Sequence, residues 1–157
     1  MAAIIRRASE ADSEALSSLN TDVQSIHAAA LPWRFKQPGP DTFPPDVIRP
    51  LLADPNNLIF IAEVNSAPAG YAYAQIVRQA ETSLRHALEE VHLHHISVRP
   101  SCRRLGVGHA LFDAVRAAGR GLGIELLTLQ VWTFNEDARA FFRREGFVPY
   151  MERLWTP

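Results

Sequence analysis

A chain of 157 residues, 47% hydrophobic and 21% charged with a formal net charge of −1, has the length of one domain and enough apolar content to bury a core. That balance excludes a disordered chain and a general electrostatic attraction to nucleic acid, so any anion site must be local. The lone cysteine, Cys102, excludes an internal disulfide and a cysteine-rich zinc site, in keeping with a reducing compartment. The opening Met1 to Arg7 lacks the apolar stretch of a signal peptide, and no run approaches the ~18 apolar residues of a membrane span. The expectation is one soluble, cytoplasmic domain over residues 1–157 with no membrane contact.

Ile4 and Ile5 begin a short strand ending near Ala8, and Ser9 with Asp12 three residues on reads as a helix start. Ala15, Leu16 and Leu19 share a face of that helix, and a second helix is expected from Asp22 to Ala30, stopped by Pro32. His27 lies on its apolar stripe and reads as a packed residue. Trp33 to Pro45 is an irregular loop rich in proline, whose Trp33, Phe35 and Phe43 either wall a pocket or tack the loop down. Asp46 to Ala53 forms a short helix.

Leu58 to Ala62 is a continuous apolar run suited to a strand buried on both faces. Asn65 to Pro68 breaks it, and Gly70 to Val77 returns as its hairpin partner, with Tyr71, Tyr73 and Gln75 on one face and Ala72, Ala74 and Ile76 on the other. Arg78 to Glu90 is polar, either loop or short helix. Val91 to Val98 is a strand whose strict alternation puts His92, His94, Ile96 and Val98 on one face and Leu93, His95 and Ser97 on the other. Val107 to Ala118 keeps the spacing of an amphipathic helix, and Gly119 to Gly123 reads as its C-cap and turn. Glu125 to Trp132 is a strand. Asn135 caps a helix with an acidic first turn and a basic last turn, terminated by Gly146, and Phe147 to Leu154 supplies one or two final strands.

The chemistry begins at Arg103-Arg104-Leu105-Gly106-Val107-Gly108, between a strand and a helix. Two arginines at a helix N-terminus oppose the macrodipole at about 0.3–1 kcal/mol each unless an anion sits there. Gly106 and Gly108 bring no side chain to block close approach, so successive backbone N–H groups can point at a pyrophosphate. Glycines near a helix start also serve plain turn geometry, so R-x-x-G-x-G alone is a weak signal. No Lys-Ser/Thr follows these glycines as a P-loop needs, and no G-x-G-x-x-G follows the first strand.

Three stretches carry a family resemblance: Ile96 to Pro100 followed by Arg103 to Gly108; Val131 to Asn135 followed by Ala138, Phe141-Phe142 and Gly146-Phe147; and, more weakly, Ile5-Arg6 through Asp12. Together they resemble the GNAT superfamily of acyl-CoA-dependent N-acyltransferases. The resemblance implies an α/β (α+β) fold: one mixed, mostly antiparallel sheet of about 6–7 strands, about four flanking helices and splayed central strands. It implies acetyl-CoA, or another short acyl-CoA, as cosubstrate. Its pyrophosphate would sit on Arg103, Arg104, Leu105, Gly106, Val107, Gly108 and His109, its pantetheine would run along Ile96, Ser97 and Val98, and Asn135 and Phe142 would line the same cleft.

An alkylamine with a pKa near 10.4 is neutral in roughly one molecule in a few thousand at pH 7, so attack on a thioester needs a base. Some family members carry a glutamate where this chain has His92, and histidine titrates in the useful range. His92 and His94 are therefore catalytic candidates; the plainer alternative is that both are hydrogen-bonded strand residues. H-x-H can also chelate, but no matching ligand pair is evident elsewhere, and no metal is expected. Many members have a tyrosine acid where this chain has Phe142, which donates no proton. Tyr73 and Tyr150 are the replacement candidates by topology, and Cys102 reads as a loop thiol. The implied function is acetyl transfer to the primary amine of a small molecule or protein. The alternative is a non-catalytic acyl-CoA-binding or sensor domain, and exposed strand edges leave a homodimer open.

Overall fold

A computed structural model describes residues 2–157. Five strands, β1 (Ile4–Arg7), β2 (Asn57–Val64), β3 (Ala67–Gln79), β4 (Leu88–Val98) and β5 (Leu127–Leu129), form one sheet in sequential order. The first three pairings are antiparallel and β4 with β5 is parallel. Four helices flank it: α1 (Ser13–Ala30), α2 (Pro45–Ala53), α3 (Val107–Gly121) and α4 (Glu136–Arg144).

The sheet is apolar on both faces because each is covered. Leu58, Phe60, Ala72, Ala74, Val91 and Leu93 pack against Leu111, Phe112, Val115 and Phe142 of α3 and α4. On the other face Ile59, Ile61 and Tyr71 meet Leu16 and Leu19 of α1 and Ile48 of α2. The uninterrupted apolar run of β2 thus divides its side chains between two cores, as a strand buried on both sides must.

Several expectations hold. The β2–β3 hairpin closes through Asn65 and Ser66, both left-handed with φ of 53° and 61°, the geometry that suits the twist of the flanking strands. Gly123 (φ 76°) and Gly146 (φ 94°) terminate α3 and α4 in the conformation glycine adopts without cost.

Others are corrected. One continuous α1 replaces the two helices expected before Pro32. Asn20, which would weaken a helix interior, is buried with its amide donating to the Tyr71 hydroxyl at 2.9 Å, so tertiary contact holds the helix through this point. Of Arg78 to Glu90, read as loop or short helix, residues 80–87 are loop and none is helical, while Arg78, Gln79 and Leu88 to Glu90 extend β3 and β4, which pair as far as Gln79 and Leu88. The expected strand from Glu125 to Trp132 shrinks to three residues, since beyond Leu129 it leaves β4 and has no ladder partner.

Residues 147–157 form no strand, so the sheet has five strands rather than six or seven. Phe147 is held against Phe112 and Phe142, and Trp155 stacks on Trp33 at 5.6 Å. Val148, Tyr150, Met151 and Leu154 between them are exposed.

Candidate active site

The cationic turn leaves β4 through a 3-10 turn, Pro100–Cys102, and enters α3 at Gly106. Arg104 (φ 62°) and Gly106 (φ 77°) are both left-handed, a conformation rare for a side chain as long as arginine. The first intrahelical bond of α3 runs from the Ala110 N–H to the Gly106 carbonyl at 3.0 Å, leaving the N–H groups of Val107, Gly108 and His109 without a helical acceptor. A concave run of amides under the positive helix end is an anion cradle. The two glycines divide its requirements. A Cβ on Gly106 would touch nothing within 4 Å, so its backbone conformation is what matters, whereas a Cβ on Gly108 would meet the Phe141 ring at 3.3 Å. Gly108 therefore also sets how closely α4 approaches α3.

Upstream, β4 changes face within its own length. A register shift opposite Tyr73 and Ala74 leaves His94 as an extra residue between the pairs Ala74 with Leu93 and Tyr73 with His95. This bulge overturns the strict alternation expected for the strand. Val91 and Leu93 before it, and Ile96 and Val98 after it, all pack toward α3. His92, His94, His95 and Ser97 are left to the other face. His92 and His94 rings lie 4.9 Å apart, His94 stacks on Tyr73 at 4.9 Å, and Tyr73 meets His95 at 5.5 Å. Ser97 donates its hydroxyl to the Leu19 carbonyl of α1 at 3.0 Å.

The backbone reverses with the side chains. Before the bulge the Val91 N–H donates toward β5, to Leu126, and after it the Arg99 N–H donates toward β3, to Ala69. Alternation from Arg99 then turns the peptide groups of Ile96 and Val98 to the side of β4 that β5 has left. The Arg103 Nε–H caps one of them, donating to the Val98 carbonyl at 3.2 Å. The splay between β4 and β5 thus presents unpaired strand groups on one line with the anion cradle.

A cavity of about 280 Å³ opens beside this splay, bounded by α1, β4, β5 and the start of α4, and lined by His27, Phe35, the three β4 histidines and Trp132 among others. Asn135 and Phe142 also line it. Asn135 caps α4 by accepting the Ala138 N–H at 3.2 Å, and Phe142 is packed against Phe141 and Phe147. A second hollow of similar volume lies within residues 81–86 and touches none of the motif residues.

The histidines differ in their surroundings. His92 Nδ1 is 2.8 Å from the Thr128 hydroxyl on β5, and His94 Nε2 is 3.0 Å from the Gln75 amide oxygen. His94 is pushed down from its ordinary pKa by burial and by neighbouring His92. His95 is pushed further, to about 4, by burial and then by His94 and His27. A hydrogen-bonded chain leads to it: Asn20 donates to the Tyr71 hydroxyl at 2.9 Å, which lies 3.0 Å from His95 Nδ1. Burial in turn raises the Tyr71 phenol well above its usual pKa.

Other residues singled out in the sequence lie elsewhere. Tyr150 is 84% exposed on the terminal segment and does not line the cavity. The His109 side chain turns to the surface of α3, with Nδ1 2.9 Å from Glu145 and Nε2 3.1 Å from Asp113, and these carboxylates raise its pKa. Its contribution to the cradle is the backbone N–H. His95, Tyr71, Asn20 and Thr128 were not anticipated in this site. A period-2 reading assigns His95 to the wrong face, and no local signal marks a bulge between histidines.

A profile of the acetyltransferase (GNAT) family matches residues 1–147. An uncharacterized N-acetyltransferase from the pepI 3′ region of Lactobacillus delbrueckii subsp. lactis is 27% identical over 106 residues, 67% of this chain. That match spans only 60% of the relative's length. A mutant of the BH1408 protein from Bacillus halodurans has the same fold at a TM-score of 0.94, with 21% identity and 98% of each chain covered. AAC(6′)-Iy, an aminoglycoside N-acetyltransferase, in complex with the bisubstrate analogue CoA-S-monomethyl-acetylneamine, gives a TM-score of 0.77 at 21% identity, covering 100% of this chain and 98% of that one. A predicted acetyltransferase from Clostridium acetobutylicum with acetyl-CoA gives 0.74 at 18% identity, covering 99% and 96%.

Proposed function

We propose, on the premise that the chain belongs to the acetyltransferase (GNAT) family, that it moves an acetyl group from acetyl-CoA to a primary amine by direct attack in a ternary complex. The observation that carries this reading is the alignment of the Arg104–Gly106 cradle with the open edge of β4, ending at a cavity that holds titratable side chains. The pyrophosphate would take the N–H groups of Val107, Gly108 and His109, with Arg103 and Arg104 adding charge. Pantetheine would complete the sheet along Ile96 and Val98, standing in for the strand that β5 ceases to be, with Asn135 and Phe142 on its far side.

In this reading the thioester would lie near His92 and the bulge. In the tautomer that donates Nδ1–H to Thr128 Oγ1, His92 presents the lone pair of Nε2 as base. The amine nitrogen attacks the carbonyl carbon, its surplus proton passes to His92 directly or through water, and the carbon–sulfur bond breaks with both electrons leaving on the coenzyme thiolate. His94, held by Gln75, is the second candidate for the proton path. Phe142 supplies no acid, and Tyr150 serves only if the terminal segment brings it to the cavity. The remaining means of easing thiolate departure is the polarising N–H groups of β4 beside the gap.

Free thiol released from acetyl-CoA across an amine panel tests this reading, with acetyl-CoA binding followed by titration calorimetry. Transfer that is lost in His92→Ala while coenzyme affinity is retained supports the enzyme. Phe142, a buried ring where many members carry tyrosine, favours the second reading, a non-catalytic acyl-CoA sensor. Tight coenzyme binding without transfer to any amine would select it.

A further inference from the structure

We infer, resting on the acyl-transfer reading above, that the acceptor is a small amine bearing one positive charge on a planar apolar body, and not a polyamine or an aminosugar. The charge of the cavity carries the first half of the inference. Among the described residues that line it there is no aspartate, glutamate, lysine or arginine. Its titratable groups are imidazoles, and His94 and His95 are both driven toward the neutral form. An ammonium entering such a site loses water and gains no carboxylate. The same absence favours the neutral amine, which is the nucleophile the reaction needs, so one amine is accommodated by losing its proton. Every further ammonium on the acceptor would have to stay charged without a partner, or be deprotonated without chemical gain.

The wall of the cavity carries the second half. Phe35 is 5.0 Å from His27 and 5.3 Å from Trp132, and Phe134 lies 5.8 Å from His27 and 6.0 Å from Trp132, measured between ring centroids. These four rings join α1, the loop after it and the segment following β5 into one aromatic surface. The Arg34 guanidinium sits over Trp132 at 5.1 Å and makes the outer side of that surface positive, which opposes a second cation on the acceptor. Because the Phe35 and Trp132 planes stand at 86° to each other, a flat apolar body that lies against one ring meets the edge of the other, with its amine directed at the β4 histidines.

The test compares phenethylamine and tryptamine with spermidine and neamine by thiol release at saturating acetyl-CoA. The aromatic amines are expected to exceed the polycations in kcat/KM by at least about 10-fold. In Trp132→Ala the KM for phenethylamine should rise about 10-fold with acetyl-CoA affinity unchanged, which also shows that the variant is folded. Gln130→Glu, at an exposed lining position, places a carboxylate in the wall and should raise kcat/KM for spermidine several-fold. Equal or better turnover of spermidine or neamine by the unaltered protein overturns the inference while leaving acyl transfer standing. Binding of acetyl-CoA without transfer to any of the four amines overturns the acceptor assignment alone, whereas absence of acetyl-CoA binding overturns the acyl-transfer reading and the acceptor assignment with it.

Discussion

His92 Nδ1 lies 2.8 Å from Thr128 Oγ1, across the middle of the three rungs where β4 and β5 still pair. The bond orients the imidazole one rung before the two strands part. His92→Ala should lower kcat by about 10²–10⁴-fold with acetyl-CoA affinity unchanged, the usual range for a lost general base. Thr128→Val keeps the ring but frees it to turn, and a loss of about 10-fold in kcat is expected. Initial rates for both variants at fixed pH decide the matter; full activity in His92→Ala would remove this residue from the reaction.

The two glycines of the turn should respond differently to alanine. Gly106→Ala forces a side chain into a left-handed conformation and should cost about 1–2 kcal/mol of stability, with weaker acetyl-CoA binding as the turn relaxes. Gly108→Ala gains helix propensity but crowds Phe141, so its net change should stay within about 1 kcal/mol. Urea unfolding with and without coenzyme separates the two effects.

His95 makes stability depend on mild acid. Its folded pKa, about 4, lies below the ordinary 6.5, so the unfolded chain binds this proton first. The folded protein should lose up to about 3 kcal/mol as pH falls from about 6.5 to about 4. His95→Gln should flatten that part of the profile in pH-dependent urea melts, and an unchanged slope would place the titration elsewhere.

Asp12 acts at lower pH and with the opposite chemistry. Arg6 holds its carboxylate with two bonds of 2.8 Å and the Ser9 N–H adds a third at 2.7 Å, so its pKa falls to about 2. The stabilisation is complete above the unfolded value near 3.9 and is lost as pH falls through about 2. Because the Arg6 side chain is 42% exposed, solvent screening limits the contribution to about 1 kcal/mol. Asp12→Asn should show that loss at pH 7 and no further loss of it between pH 4 and pH 2, which chemical denaturation can follow.

What the sequence by itself determined here is whatever local chemistry enforces. The Asn135 cap, the terminal glycines of α3 and α4, the two-sided apolar run of β2 and the cationic turn before Val107 are each set by neighbours within a few residues, and each was legible. The turn's proposed purpose rests on the same local chemistry, because arginines against a helix dipole call for an anion.

Tertiary structure alone decided the rest. The bulge at His94 depends on how β3 presents Tyr73 and Ala74, and it gathers His95 with His92 and His94 while turning Ile96 and Val98 to the gap. The splay depends on β5 leaving β4 after Leu129, and residues 147–157 pair with no strand. Asn20 stays helical only because Tyr71 receives it. These outcomes rest on contacts between residues distant in sequence, whose energies a period-2 or period-3.6 pattern does not contain.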